Sequence, residues 1–242
     1  MSHQHNGRQP LHCFILGLMW LVSAAPLQAG DVTGKVVLAP TGRSNSDLSG
    51  VVVSLTPIGE TEATEPRRAP IRATLTQKDK AFSPHILVIP PGSIVEFPNR
   101  DPFFHNVFSL FEGKRFDLGL YESGSTRSVK FDRPGVSYIF CNIHPQMSAI
   151  VIALDTPYYS LADKSGNIKI PDVLPGQYQM QVWAEGLNTE EMQKLFRHVT
   201  VNHDVVELGK IEIPSLESLA AHKNKYGRDY DPATPNAEYE PH

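Results

Sequence analysis

Cysteine is nearly absent from this chain. Two thiols occur in 242 residues, Cys13 and Cys141, so no disulfide framework can be built from them. Basic charge is not in excess either. The formal net charge is −4, and without a basic field the chain is not a candidate for nucleic-acid binding. No Ser/His/Asp set and no paired carboxylates stand out, and Glu190-Glu191 reads as a solvated surface pair. The histidines are mostly scattered: His85, His198, His203, His222 and His242 form no cluster, and the one His-x-His is His3-Gln4-His5 at the very start. No cluster of histidines is thus offered for a catalytic metal, and a non-enzymatic role is expected.

The long apolar run, Leu11 to Ala25, follows a polar start with one arginine, Arg8, and is followed by Leu27-Gln28-Ala29. Residues 1–29 therefore read as a secretory signal cleaved after Ala29. An uncut membrane anchor is the alternative, but the run is short for a span. The expected location is the periplasm or the exterior, with no stable membrane insertion after cleavage. Residues 1–29 hold Arg8 and no acid, so removing them takes the charge from −4 to −5. Cleavage also removes Cys13. A single thiol left in an oxidising compartment calls for burial or a metal.

What the chain does have is β pattern. Twenty prolines and seventeen glycines punctuate short Val/Ile/Tyr/Phe runs, which predicts an all-β protein. Two strands around a polar turn occupy residues 30–60. Ile71-Arg72-Ala73-Thr74-Leu75-Thr76 alternates, Ile86-Leu87-Val88-Ile89 is a short buried run, and Ile94-Val95-Glu96-Phe97 alternates again. Val136 to Phe140 leads into Cys141, and Ala149 to Leu154 closes this unit. A further unit covers residues 155–213, with a stretch at Glu190-Glu191-Met192 that is either helical or irregular. Residues 214–242 are polar, aperiodic and proline-containing, and read as a flexible tail.

The chemistry concentrates in Cys141-Asn142-Ile143-His144-Pro145-Gln146-Met147. A thiolate, an imidazole and a thioether stand at i, i+3 and i+6, as in a loop that wraps a metal. Cys and His with a weak Met donor form the loop half of a blue-copper site, which takes one more His from elsewhere. His105 is the candidate. Singly, each residue has a plain explanation: a buried Cys is a small hydrophobe, a Met fills core, a His is a satisfied polar group. Jointly they point to one copper held by His105, Cys141 and His144, with Met147 as the long axial ligand.

Residues 68–154 resemble a small cupredoxin. The resemblance rests on Pro91-Gly92 before the Val95/Phe97 strand, Asn99-Arg100-Asp101, His105-Asn106-Val107, Pro134-Gly135, and Cys141-x-x-His144-x-x-Met147 before an apolar strand. The two-residue gap between His and Met is similar to the short loop of amicyanins. One departure is Ser137, where small cupredoxins often carry Tyr. The resemblance implies a Greek-key β-sandwich, a type 1 copper, single-electron transport and redox protein partners. It also implies that Asn106 bridges the two ligand loops and that His144 reaches the surface, inside an apolar rim of Ile143, Pro145, Pro102 and Phe103. Strand alternation then turns Tyr138 and Phe140 outward, towards cover by the second sandwich. Copper uptake or delivery, and docking without redox cycling, are the rival functions.

Asp163-x-x-Gly166 with Leu174-Pro175-Gly176-x-Tyr178 is similar to the second half of carboxypeptidase regulatory-like sandwiches. Gly34-Lys35-Val36, Gly42 and Gly50-Val51-Val52-Val53 are similar to their first half. Two arrangements satisfy this. In one, residues 30–60 pair with 155–213 and the cupredoxin is inserted between them. In the other, two sandwiches follow one another and residues 31–57 are extra strands of the cupredoxin.

Overall fold

The computed structural model describes residues 29–40, 47–59, 68–110, 113–214 and 223–230. All but the last residue of the expected signal, 1–29, lies outside them, as does much of the linker between residues 58 and 70. Among the described residues no helix is long and apolar enough to cross a membrane.

The protein is all-β. Strands β1 (Gly30–Leu38) and β2 (Val52–Pro57) come first. They are followed by β3 (Arg72–Thr74), β4 (Thr76–Lys78), β5 (Ala81–Ser83), β6 (Ile86–Ile89), β7 (Ser93–Pro98), β8 (His105–Ser109), β9 (Phe116–Tyr121), β10 (Thr126–Phe131), β11 (Gly135–Phe140) and β12 (Ser148–Ala153). The chain ends with β13 (Tyr159–Leu161), β14 (Asn167–Val173), β15 (Gly176–Trp183), helix α1 (Thr189–Lys194), β16 (Arg197–Val201) and β17 (Val206–Ile213).

The first two strands pair with the last ones. β1 lies between β14 and β17, and β2 lies between β13 and β15, with β16 outside β15. The two sheets enclose one core, in which Val32 and Val36 of β1 meet Ile168, Ile170, Tyr178, Met180, Val182 and Ile211. Among the described residues, β3 to β12 pair only among themselves. A five-stranded sheet has the order β6-β12-β11-β8-β9, a three-stranded one β10-β7-β3, and β4-β5 form a hairpin. Their core holds Leu75, Val95, Phe97, Val107, Phe131, Ile139, Cys141 and Met147.

In β2 and β12 the alternation is lost because both faces are buried. In β2 and just before it, Val51, Val53 and Leu55 point into the first core while Val52 points the other way. In β12, Ala149, Val151 and Ala153 point into the second core, and Ile150 and Ile152 point out of it. Val52, Ile150 and Ile152 meet in a third cluster, joined by Val136, Tyr138 and Trp183. Each such aliphatic side chain contributes about 1.5–3 kcal/mol when fully buried, so the seam between the two bodies is an apolar joint. Tyr138 is covered there as expected. Phe140 is not in that cluster; it is buried at 4 % exposure and packs on Phe108 with ring centroids 5.9 Å apart.

Residues 189–194 are helical for a local reason. The Asn188 side chain accepts from the Glu191 amide, and the Glu191 carboxylate accepts from the Asn188 amide, a reciprocal cap. The expected flexible tail needs a correction. Residues 223–230 are folded against the ligand end of the five-stranded sheet, while 215–222 and 231–242 lie outside the described residues.

One polar contact also crosses the seam. His85 Nε2 lies 2.7 Å from Glu185 Oε2 and His85 Nδ1 lies 3.2 Å from the Ser148 carbonyl. Acceptors on both nitrogens favour the doubly protonated ring, and the Glu185 hydrogen bond raises the His85 pKa above 6.5 against the opposing effect of burial. The stabilisation is therefore complete below pH 6.5 and is lost as pH rises through the folded-state value. In an NMR titration His85 should have a midpoint above 6.5 in the native protein and a lower one in Glu185→Gln. An unchanged midpoint would count against the contact.

Candidate metal centre

The antiparallel register of β8 and β11 assembles the site. Phe140 stands opposite Phe108. Continuing that register past the end of β11 sets His105, the first residue of β8, opposite the loop that begins at Cys141. The loop is closed on itself: the Cys141 amide donates to the Met147 carbonyl at 3.1 Å, and the Met147 amide donates to the His144 carbonyl at 3.0 Å. Cys141, His105 and Met147 are all fully buried, whereas His144 is half-buried.

Three of the four residues singled out by sequence bring donor atoms together. Cys141 Sγ lies 3.7 Å from His105 Nδ1 and 3.6 Å from His144 Nδ1. The three donor atoms all lie within 4.8 Å of one another. Met147 shares the buried cluster that contains Cys141.

Protonation makes this convergence informative. The Asp101 carboxylate accepts from the Asp79 amide at 2.6 Å, the Lys80 amide at 3.0 Å and His105 Nε2 at 2.8 Å. Burial alone would raise the Asp101 pKa, but these bonds together hold it below 3.8. The ionised carboxylate therefore fixes the ring proton of His105 on Nε2 and leaves the Nδ1 lone pair aimed at the thiol. His144 is neutral at ordinary pH, because burial, with the nearby Lys80 charge, pushes its pKa down to about 4. The His105 lone pair, the His144 Nδ1 atom and a sulfur thus face one point. Donors about 3.6 Å apart suit a shared ion with bonds of roughly 2.0–2.3 Å, lengths typical of nitrogen and thiolate ligands. The donor set thus fits a soft, nitrogen- and sulfur-binding metal.

Around the donors, Phe103 meets the His105 ring edge-on and the His144 ring at a tilt, with centroids 5.2 Å and 5.6 Å away. Pro102, Phe104 and Ile143 are exposed, the last at 42 %, and Pro145 is half-buried.

Asn106 differs from expectation. Its amide donates to Asp117 Oδ1 at 2.7 Å in β9, so it ties β8 to the sheet edge, and its buried Oδ1 has no hydrogen-bond partner among the described residues. In the sequence Asp101 stands out only as the last residue of Asn99-Arg100-Asp101. Its i, i+4 spacing to His105 was the available signal, but the donors that keep it ionised come from a turn some twenty residues earlier.

His144 gives a direct test on the metal-free protein. Its folded-state pKa of about 4 lies below the ordinary 6.5, so between those values the unfolded chain binds a proton that the folded chain refuses. Stability should fall as pH drops through that window and level off below it. Denaturant melts of the apoprotein should show this slope, and His144→Gln should remove it. A wild-type slope in His144→Gln would contradict the assignment.

Comparison with known proteins gives partial likenesses. A family model described as polysaccharide lyase family 4, domain II, matches residues 151–204; this replaces the carboxypeptidase regulatory-like reading of that stretch. No curated protein matches. Among solved structures, a purple cupredoxin from Nitrosopumilus maritimus is 26% identical over 34% of this chain and 99% of its own, with a TM-score of 0.31. A copper-containing nitrite reductase from Thermus scotoductus SA-01 is 24% identical over 49% of this chain, with a TM-score of 0.33; the match spans 28% of the reductase. A reduced amicyanin variant is 19% identical over 42% of this chain and 99% of its own, with a TM-score of 0.32.

Proposed function

We propose that this chain is an exported copper protein of type 1 character that carries single electrons between redox proteins. The observation that carries the proposal is the convergence of His105 Nδ1, His144 Nδ1 and Cys141 Sγ, with the His105 proton held away by Asp101. Copper, when bound, supplies a one-electron couple between its two common oxidation states. Cys141 would be its thiolate ligand, His105 and His144 its imidazole ligands, and Met147 a weak thioether donor.

The chain's own contribution is to hold these donors still. Cys141 and His105 are fully buried, and the loop is closed by its own backbone bonds, so the ligands change little when the charge of the site changes. Burial also favours carrying over metal delivery, which calls for exposed and mobile ligands. Phe103 lies against the His144 ring, and Ile143, its neighbour in the chain, is exposed, an apolar rim suited to a brief, small encounter with a partner.

The mature protein should bind one copper and show an intense visible band. Cys141→Ser should abolish the band, and a variant that keeps its colour would refute the ligand assignment. Met147→Gln should keep the metal but lower the reduction potential, because a harder oxygen donor favours the oxidised ion; a potential that rises would remove Met147 from the set.

The rim has its own test. Ile143→Glu places a charge beside the electron route on a protein that is already negative. Self-exchange should slow by about an order of magnitude at low salt, with an unaltered spectrum. Unchanged self-exchange would exclude this face as the exit.

A further inference from the structure

The segment 223–230 grips the ligand loop from outside. Its shape is its own. The Asn224 side chain accepts from the Tyr226 amide at 3.0 Å and from the Arg228 amide at 3.1 Å. The Gly227 amide donates to the Asn224 carbonyl at 2.9 Å, and Gly227 supplies a left-handed φ of 73°, which glycine adopts without steric cost. Asn224 thus organises a turn of a sequence that is otherwise too polar to fold by burial.

Three bonds join this turn to the site. The Lys225 amide donates to Asn142 Oδ1 at 2.9 Å, and Lys225 Nζ donates to Asp117 Oδ2 at 2.9 Å. The Tyr230 hydroxyl donates to the Cys141 carbonyl at 2.6 Å. Asp117 also accepts from Asn106, the residue after His105. A continuous polar path therefore runs from the β8 strand through Asp117 and Lys225 to Asn142, and a second bond lands on the peptide of the thiol residue itself. The loop's own bonds are between its backbone groups; these contacts hold it from outside.

We propose that Asn224–Tyr230 is a built-in clamp on the ligand loop, with Lys225 and Tyr230 as positioning residues for Cys141. It restrains the loop against opening, and so slows metal loss. The Tyr230 O–H dipole also points its positive end at the Cys141 carbonyl, favouring the less positive state of a metal held by the adjacent thiolate. The effects on metal loss and on potential rest on the copper reading; the restraint on the loop does not.

The test compares the full-length mature protein with Tyr230→Phe, which removes one donor, and Asn224→Ala, which removes the turn's organiser. Both positions lie outside the two cores, so thermal melts should stay close to the parent. In the metal-free proteins, hydrogen exchange of the loop-closing amides of Cys141 and Met147 should accelerate about fivefold in Tyr230→Phe and more in Asn224→Ala, as loss of a bond worth about 1 kcal/mol implies. In the copper-loaded, reduced proteins, capture of the metal by bicinchoninate should accelerate in the same order, and Tyr230→Phe should have a lower reduction potential at an unaltered visible spectrum. Equal loop exchange in parent and both variants overturns the clamp. An unmoved potential in Tyr230→Phe overturns the role given to its hydroxyl. A parent protein that takes up no copper refutes the metal reading and leaves the exchange comparison to decide the clamp.

Discussion

A buried carboxylate must be surrounded by donors, and the candidate centre depends on how Asp101 meets that demand. Two of its donors are the amides of Asp79 and Lys80, which sit at the tip of the β4-β5 hairpin with φ of 56° and 55°. Successive left-handed residues are the turn geometry that matches strand twist in a tight hairpin, and they also aim neighbouring amides at one anion. The third donor is His105. Remove the hairpin tip and Asp101 loses its reason to stay ionised; remove Asp101 and His105 can place its proton on either nitrogen. Orientation of a donor atom at the site is thus fixed by backbone conformation in a turn that touches no proposed ligand.

The hairpin is itself fastened to the loop it serves. The Arg100 amide donates to the Gln77 carbonyl at 2.8 Å, and Asn99 Oδ1 accepts from the Asp101 amide at 3.0 Å. Gln77 is fully buried, and its side chain donates to the Tyr121 hydroxyl, which donates in turn to the Phe97 carbonyl. Burial raises the Tyr121 pKa well above that of a free phenol, so this hydroxyl stays a donor at any ordinary pH. A polar network this deep has few alternative arrangements, which is how it gives one geometry rather than several.

Much of this was legible in the sequence. The thiol, imidazole and thioether spacing needs only a tight loop after a strand, and His105 needs only an adjacent strand, so local pattern suffices for both. The apolar runs at Val51-Val52-Val53 and Ala149 to Leu154 were visible as strands, but that each has two buried faces depends on where another strand lies. Asp101 was hidden because its donors come from Asp79 and Lys80, and no periodicity links a turn amide to a later carboxylate. Tyr230 and Lys225 were hidden for the opposite reason. Their segment buries little apolar surface and folds by hydrogen bonds to Asn142, Asp117 and the Cys141 carbonyl, groups that converge only once the sheet exists. Asn106 was read through its family position, and the side chain went instead to Asp117, a partner on the other side of its own strand.

The pairing of Tyr159 with Ser54 closes a loop over residues 55–158, and closing a long disordered loop costs entropy that grows with the logarithm of its length. Arg68 and Tyr159 touch, with the guanidinium 2.6 Å from the hydroxyl and 5.3 Å above the ring, so the path into β3–β12 begins beside the path out. Once those inner strands have folded, the outer sheets have only short tethers left to close. Assembly from the inside outwards is therefore the cheaper order, and ions or contacts that stabilise the inner strands also lower the entropic barrier to completing the outer sandwich.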